Sequence, residues 1–294
     1  MNKKFKTDVF SIGFFLWFLI GFVICFKVLT PYTNDKTLAF LITLVLYAFS
    51  IAVAISPIGE QIFRWITRVR PLANKREKDR LLPLWEEVYA RAREHRPNLT
   101  KNIQFFITDD VAPNAFAVGR KTVCVTSGLM NTCSDEEIKG ILGHEAAHIA
   151  NGDTMGLLIA TVGNAVLGLV FIFTRIIIWI FSNLAERILP GTGKLLIGVA
   201  NLLNLLIAFS LFMGFLAAMK TSRVREFEAD RFSAQLGYGE HLISALDKLE
   251  HMGGGSNKLG VLEAMKRTHP PTPVRIGEIE NEIENMYADE VALD

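Results

Sequence analysis

The chain has 294 residues, half of them hydrophobic, with 31 Lys and Arg against 30 Asp and Glu. That hydrophobicity excludes a disordered chain. Only three cysteines (Cys25, Cys124, Cys133) exclude a disulfide scaffold, and a net charge of +1 leaves no electrostatic footprint for a nucleic-acid partner.

A mean hydropathy of +0.30 assigns much of the apolar content to lipid. In chain order, the first element is a charge-free window of 18 residues, 9–26, between Asp8 and Lys27. About 20 apolar residues cross a bilayer as a helix, so this window is read as the first of four transmembrane helices. Its run from Phe10 to Phe26 is long for a signal-peptide core, and no small-residue cleavage site follows. The second span is 37–59, 23 residues between Lys36 and Glu60. A basic run follows (Arg64, Arg68, Arg70, Lys75, Arg76, Lys78, Arg80), a solvated face that also suits lipid headgroups. Residues 83–94 read as an amphipathic helix and residues 101–108 as a strand. Residues 114–119 and 122–126 read as a hairpin. Ser134 to Glu137 fits a capping box opening a helix whose buried stripe is Ile138, Ile141, Leu142 and Ile149, ended by Asn151-Gly152-Asp153. The third span is 154–174, with the apolar run resuming at 176–181, and the fourth is 195–219. A further helix begins at Arg225, and residues 253–257 form a flexible loop.

Lys and Arg near the span ends number 14 on one side and 5 on the other. The positive-inside rule then predicts both termini and the 60–153 segment in the cytoplasm. The expected division is spans one and two (1–59), a cytoplasmic part (60–153), spans three and four (154–219) and a second cytoplasmic part (220–294). No charge lies mid-span, which argues against a transporter.

The chemistry sits in the capped helix, which contains His144-Glu145-Ala146-Ala147-His148. The i, i+4 spacing puts both imidazoles on one helix face, where both reach one Zn²⁺ at about 2.0–2.1 Å. Glu145 reaches the metal's water without being a ligand and is the expected general base. Zinc lowers the pKa of that water from about 15.7 to about 7. A catalytic zinc takes three protein ligands and keeps one open position. In Arg225-Glu226-Phe227-Glu228-Ala229-Asp230, Glu226 is the expected third ligand. Asp230, its i+4 neighbour, lies behind it as acceptor for a histidine N–H. Glu228, on another side of that helix, is the alternative. The strand beside the metal (Asn114, Ala115, Phe116, Ala117) is expected to take an extended substrate by strand addition.

These motifs, with Thr268-His269-Pro270-Pro271, Arg275-Ile276 and Pro113 to Gly119, resemble the HtpX family of membrane zinc metalloproteases, relatives of the type I CAAX prenyl proteases. The resemblance runs along essentially the whole chain. It implies a four-span α-helical membrane protein of the cell (inner) membrane, carrying a cytoplasmic α+β zincin domain. His144, His148 and Glu226 would hold one zinc, with Glu145 as base. The implied role is heat-shock-linked quality control, in which damaged membrane proteins are cut on the cytoplasmic side. His269 is expected to donate to the oxyanion, with Arg275 holding its loop by an ion pair. Asp230, Asn151 and Arg275 are placed behind the ligands. Self-cleavage is expected of such an enzyme. Two rivals are a CAAX-type processing protease, disfavoured by length and span count, and a silent adaptor with structural zinc, disfavoured by the intact Glu145.

Overall fold

The computed structural model describes residues 19–23, 25–27, 29–30, 33–97, 99–191, 193, 197–198, 223–252 and 270–291. Most of the expected spans 9–26 and 195–219, the 253–257 loop and His269 lie outside them. The helices are α1 (Lys36–Ile55), α2 (Pro57–Ile66), α3 (Lys75–His95), α4 (Ser127–Thr132), α5 (Asp135–Asn151), α6 (Thr154–Leu158), α7 (Asn164–Ile188), α8 (Arg223–Ser233), α9 (Gly239–Met252) and α10 (Thr272–Val291). The strands are β1 (Arg70–Pro71), β2 (Gln104–Thr108), β3 (Ala115–Val118) and β4 (Thr122–Thr126). Two compact units emerge, one from residues 1–59 and 158–218, the other from 60–157 and 219–294.

In the first unit, α1 is long and apolar enough to cross a membrane, with a hydropathy of 2.6. Asp35 caps it, its carboxylate accepting from the Thr37 N–H at 2.8 Å. Its buried stripe is Ala39, Thr43, Tyr47, Ser50 and Ala54, while Leu38, Phe40, Leu41, Leu44, Val45 and Phe49 face outward. The Thr43 and Ser50 hydroxyls donate to carbonyls of their own helix, so the inner face is polar and satisfied. In the second half of α7, Ile176, Ile177, Trp179, Ile180 and Phe181 are exposed and Ser182 is buried.

The expected second span ends early. Ser56 is extended (φ −82, ψ 166), and the helix restarts at Pro57. A proline disfavours the helical region for the residue before it and suits the first helical position itself. The expected third span runs longer than its charge-free window. The backbone stays helical from Thr154 to Ile188 through a π-turn at Ile159–Gly163.

In the second unit the sheet order is β1-β2-β4-β3, with β2 and β4 parallel and the other pairs antiparallel. The expected hairpin is β3–β4, with Phe116 opposite Cys124. β3 is an edge strand of this sheet. The expected helix 83–94 begins eight residues earlier, at Lys75. Asn74 caps it by accepting from the Glu77 N–H (2.8 Å), and the Glu77 carboxylate accepts from the Ala73 N–H (2.9 Å). Arg70 pairs with Glu77 and, through its hydrogen bonds above all, holds that carboxyl down to about 2. Pro83 sits on the exposed face of α3, where water can satisfy the carbonyl that its missing N–H leaves free.

Helix α5 starts with the expected capping box. Ser134 accepts from the Glu137 N–H (3.3 Å), and Glu137 accepts from the Ser134 N–H (2.7 Å). Instead of one buried stripe, every residue from Glu137 to Ile149 is buried. The helix is enclosed by α3, α8, α9 and β3, and small side chains make that enclosure tight. A Cβ on Gly143 would stand 2.9 Å from Ser233 Oγ of α8, and one on Gly140 would stand 2.8 Å from the Leu242 backbone of α9. The Ser233 hydroxyl donates to the Gly140 carbonyl at 2.7 Å. This close approach brings α8, and with it Glu226, against the first turn of the histidine motif.

Candidate metal centre

His144, Glu145 and His148 project from the middle of α5, and Glu226 and Asp230 from the facing side of α8. Glu226 and Asp230 are both 0% exposed, whereas Glu228 faces solvent. Helical periodicity accounts for the difference: positions i and i+4 share a face, and i+2 does not.

Among the described residues, ligand atoms of His144, His148 and Glu226 lie within 4.8 Å of one another. The two Nε2 atoms are 3.1 Å apart. Glu226 Oε2 is 3.6 Å from His144 Nε2, and Oε1 is 3.5 Å from His148 Nε2. Ligand atoms about 2.0–2.2 Å from a tetrahedral zinc stand about 3.3–3.6 Å apart. Both Glu226 separations fall in that range, and the 3.1 Å between the two Nε2 atoms is slightly short of it, a gap that a small turn of either ring closes around one ion.

The outer nitrogens make the same point. His144 Nδ1 lies 2.8 Å from Asp230 Oδ1, and His148 Nδ1 lies 3.2 Å from Asp153 Oδ2. Each Nδ1–H donates to a carboxylate, so each Nε2 turns a lone pair inward, toward a third acceptor on Glu226. Three acceptors facing one point need a cation or a proton among them.

Behind His144, Arg275 from α10 grips Asp230, with Nε to Oδ2 at 2.8 Å and Nη2 to Oδ1 at 2.6 Å. Burial alone would raise the Asp230 carboxyl, but Arg275 and His144 hold it down at about 2. Arg275 was expected to form an ion pair and to stand behind the ligands; its partner is Asp230, a fully buried carboxylate that takes the guanidinium fork. His269 itself lies outside the described residues.

Asp153, not Asn151, takes the place behind His148. The signal was Gly152, which ends α5 in the left-handed conformation (φ 77, ψ 16). That turn brings the Asp153 N–H back to the His148 carbonyl at 3.0 Å and its carboxylate under the imidazole. Arg225 pairs with the same carboxylate at 3.2 Å. Asn151 is half-buried beside this turn.

The charges here set a pH dependence. Burial alone would lower the His148 pKa, but its bond to Asp153 and the charges of Glu226, Glu145 and Asp153 outweigh burial and raise it to about 9. Metal ligation needs the neutral imidazole. In the metal-free chain a proton therefore competes with zinc below about pH 9. Apparent zinc affinity should rise with pH from 6.5 to 9, by up to about tenfold per unit. The sign for folding is opposite: this raised pKa stabilises the metal-free fold fully below about 6.5, and the gain is lost as pH rises through about 9. Chelator competition at several pH values measures the affinity, and a flat profile would contradict the assignment.

Of the strand residues, Ala115, Phe116 and Ala117 lie in β3, packed against α5, and Asn114 stands at its entrance. The Asn114 carbonyl accepts from the Thr126 N–H, and its own N–H donates to Thr126 Oγ1, both at 2.9 Å.

Comparison with known proteins places this arrangement. The profile of peptidase family M48 matches residues 78–283. Protease HtpX of Psychrobacter sp. (strain PRwf-1) is 35% identical over 156 residues, 49% of this chain and 47% of that protein. The Protease HtpX homolog of Burkholderia cenocepacia (strain HI2424) is 32% identical over 208 residues, 63% of this chain and 69% of that protein. The chain thus spans about half the length of the first relative and about two-thirds of the second. A crystal structure of S. mikatae Ste24p aligns with a TM-score of 0.47 and 18% identity, over 92% of this chain and 64% of that one.

Proposed function

The chain belongs to peptidase family M48, and from that membership we propose that it is a zinc-dependent endopeptidase of the membrane, cutting misfolded or damaged membrane proteins on the cytoplasmic side. The observation that carries this reading is the convergence of His144 Nε2, His148 Nε2 and the Glu226 carboxylate beside an intact Glu145. A structural zinc site has no use for a buried acid beside its ligands.

His144, His148 and Glu226 would hold the ion, while Asp230 and Asp153 fix the two imidazoles and Arg275 fixes Asp230. When bound, zinc supplies Lewis acidity toward a scissile carbonyl and lowers the pKa of a water there. Glu145 takes the proton of the attacking water and passes it to the leaving amine. Strand β3, at the edge of the described sheet, aligns an extended substrate by strand addition, which reads main chain rather than side chains and suits many unfolded substrates. His269 is assigned the oxyanion hydrogen bond.

The inverted amphipathicity of α1 and α7 supports the membrane placement. The buried stripe of α1 is Ala39, Thr43, Tyr47, Ser50 and Ala54, and α7 buries Ser182, while the exposed positions of both carry Leu, Ile, Phe and Trp. Water disfavours that arrangement, and hydrocarbon favours it. The Lys and Arg distribution supports the cytoplasmic side.

Casein cleavage by detergent-purified full chain tests the reading. Metal-free protein should be inactive and one equivalent of zinc should restore cleavage, with intact chain lost to self-cleavage on long incubation. Zinc-loaded protein that cuts neither casein nor a membrane protein would remove the protease assignment.

A further inference from the structure

Helix α2 has a mixed polar and aromatic face packed against protein and an apolar face that, among the described residues, is exposed. Its inner face is built into the hairpin that carries β3. Glu60 is buried, and its carboxylate accepts from the Arg120 N–H and the Thr122 hydroxyl, both at 2.8 Å. The Phe63 ring packs edge-on against Phe116, with centroids 6.3 Å apart. Arg64 turns inward as well, lying 4.7 Å over the Phe106 ring and donating to Thr122 Oγ1 at 2.8 Å. The outer face carries Ile58, Trp65 and Ile66, one stripe at i, i+7 and i+8. They are 62%, 82% and 49% exposed.

The position of α2 identifies what meets that face. It begins one residue after α1, the apolar helix long enough to span. Exposed cations accompany it: Arg68 just beyond its end, and Arg120 and Lys121 at the hairpin tip that Glu60 holds. A short helix with Trp and Ile on one face and basic residues nearby, continuing from a span, matches the boundary between acyl chains and anionic headgroups.

We infer that Ile58, Trp65 and Ile66 seat α2 in the interfacial layer of an anionic bilayer, so that its inner face holds the β3 hairpin at the membrane surface. This rests on the membrane reading above.

The test uses the full chain in phosphatidylcholine–phosphatidylglycerol vesicles whose acyl chains are brominated near the headgroup, which quench only tryptophans touching lipid. Wild type is compared with Trp65→Phe and Trp179→Phe. Trp85, 5% exposed, is a shielded internal control. The expected result is that Trp65→Phe removes a blue-shifted, lipid-quenched component of the emission. Trp65→Phe emission quenched to the same extent as wild type overturns the inference, and so does a Trp65 shielded from aqueous acrylamide yet insensitive to bromine, which would indicate a protein partner or second copy. If Trp179→Phe removes a quenched component and Trp65→Phe does not, only this inference fails. Trp17, in the expected first span, remains in every variant, so the membrane reading fails as well only if wild-type emission is not quenched at all.

Discussion

Glu145→Gln should leave one zinc per chain and slow casein cleavage by about 10²–10⁴-fold, the usual contribution of a positioned general base. Gln keeps the shape of the side chain and cannot take a proton. Glu145 is buried at 8% exposure on α5, beside His144 and outside the group of converging ligand atoms. Its removal should therefore spare the ligands. Metal content by mass spectrometry and cleavage rate, measured on the same preparation, separate the two roles. Loss of zinc from this variant would make Glu145 a structural residue. Full activity with zinc retained would remove it from the chemistry.

Asp230→Ala should be the most damaging single change to the folded state. It leaves the Arg275 guanidinium, 6% exposed, without its two hydrogen bonds of 2.6 and 2.8 Å. Removing one partner of a buried pair costs about 3–5 kcal/mol. It also frees the His144 ring, and loss of such a partner typically weakens metal binding by about 10–100-fold. Asp230→Ala combined with Arg275→Met tells the two effects apart. The double variant should recover much of the thermal stability, because no buried charge is stranded. Its zinc affinity should stay low, because His144 still lacks its acceptor. Recovery of both would mean that Asp230 has no part in orienting the ligand.

Much of the site is legible in one dimension because helices are periodic. The two histidines at i, i+4, the choice of Glu226 and Asp230 over Glu228, and the Ser134–Glu137 box all follow from which residues share a face or a first turn. The β3–β4 hairpin is legible from two short apolar strands around a Gly-Arg-Lys turn. The start of α3 was also written locally, in Asn74 and Glu77, but Pro83 is the louder signal and points to the wrong residue. The one described helix long and apolar enough to cross a membrane, α1, is legible as a stretch without charge. Where it ends depends on Pro57, and the helix after Asp153 runs on through a π-turn, which composition does not reveal.

What the sequence determined by itself is the catalytic vocabulary: a helix carrying two imidazoles and an acid, and a second helix carrying two carboxylates on one side. Which groups those residues answer to was decided only by the tertiary structure. Asp153 reaches His148 because Gly152 turns the chain back, and Arg275 reaches Asp230 across 45 residues of sequence. Glu226 reaches the histidines because Gly140 and Gly143 let α9 and α8 close against α5. The reason is physical. Periodicity and capping act over a few residues, whereas a buried charge selects its partner by desolvation, from whichever segment the packing brings within hydrogen-bond distance.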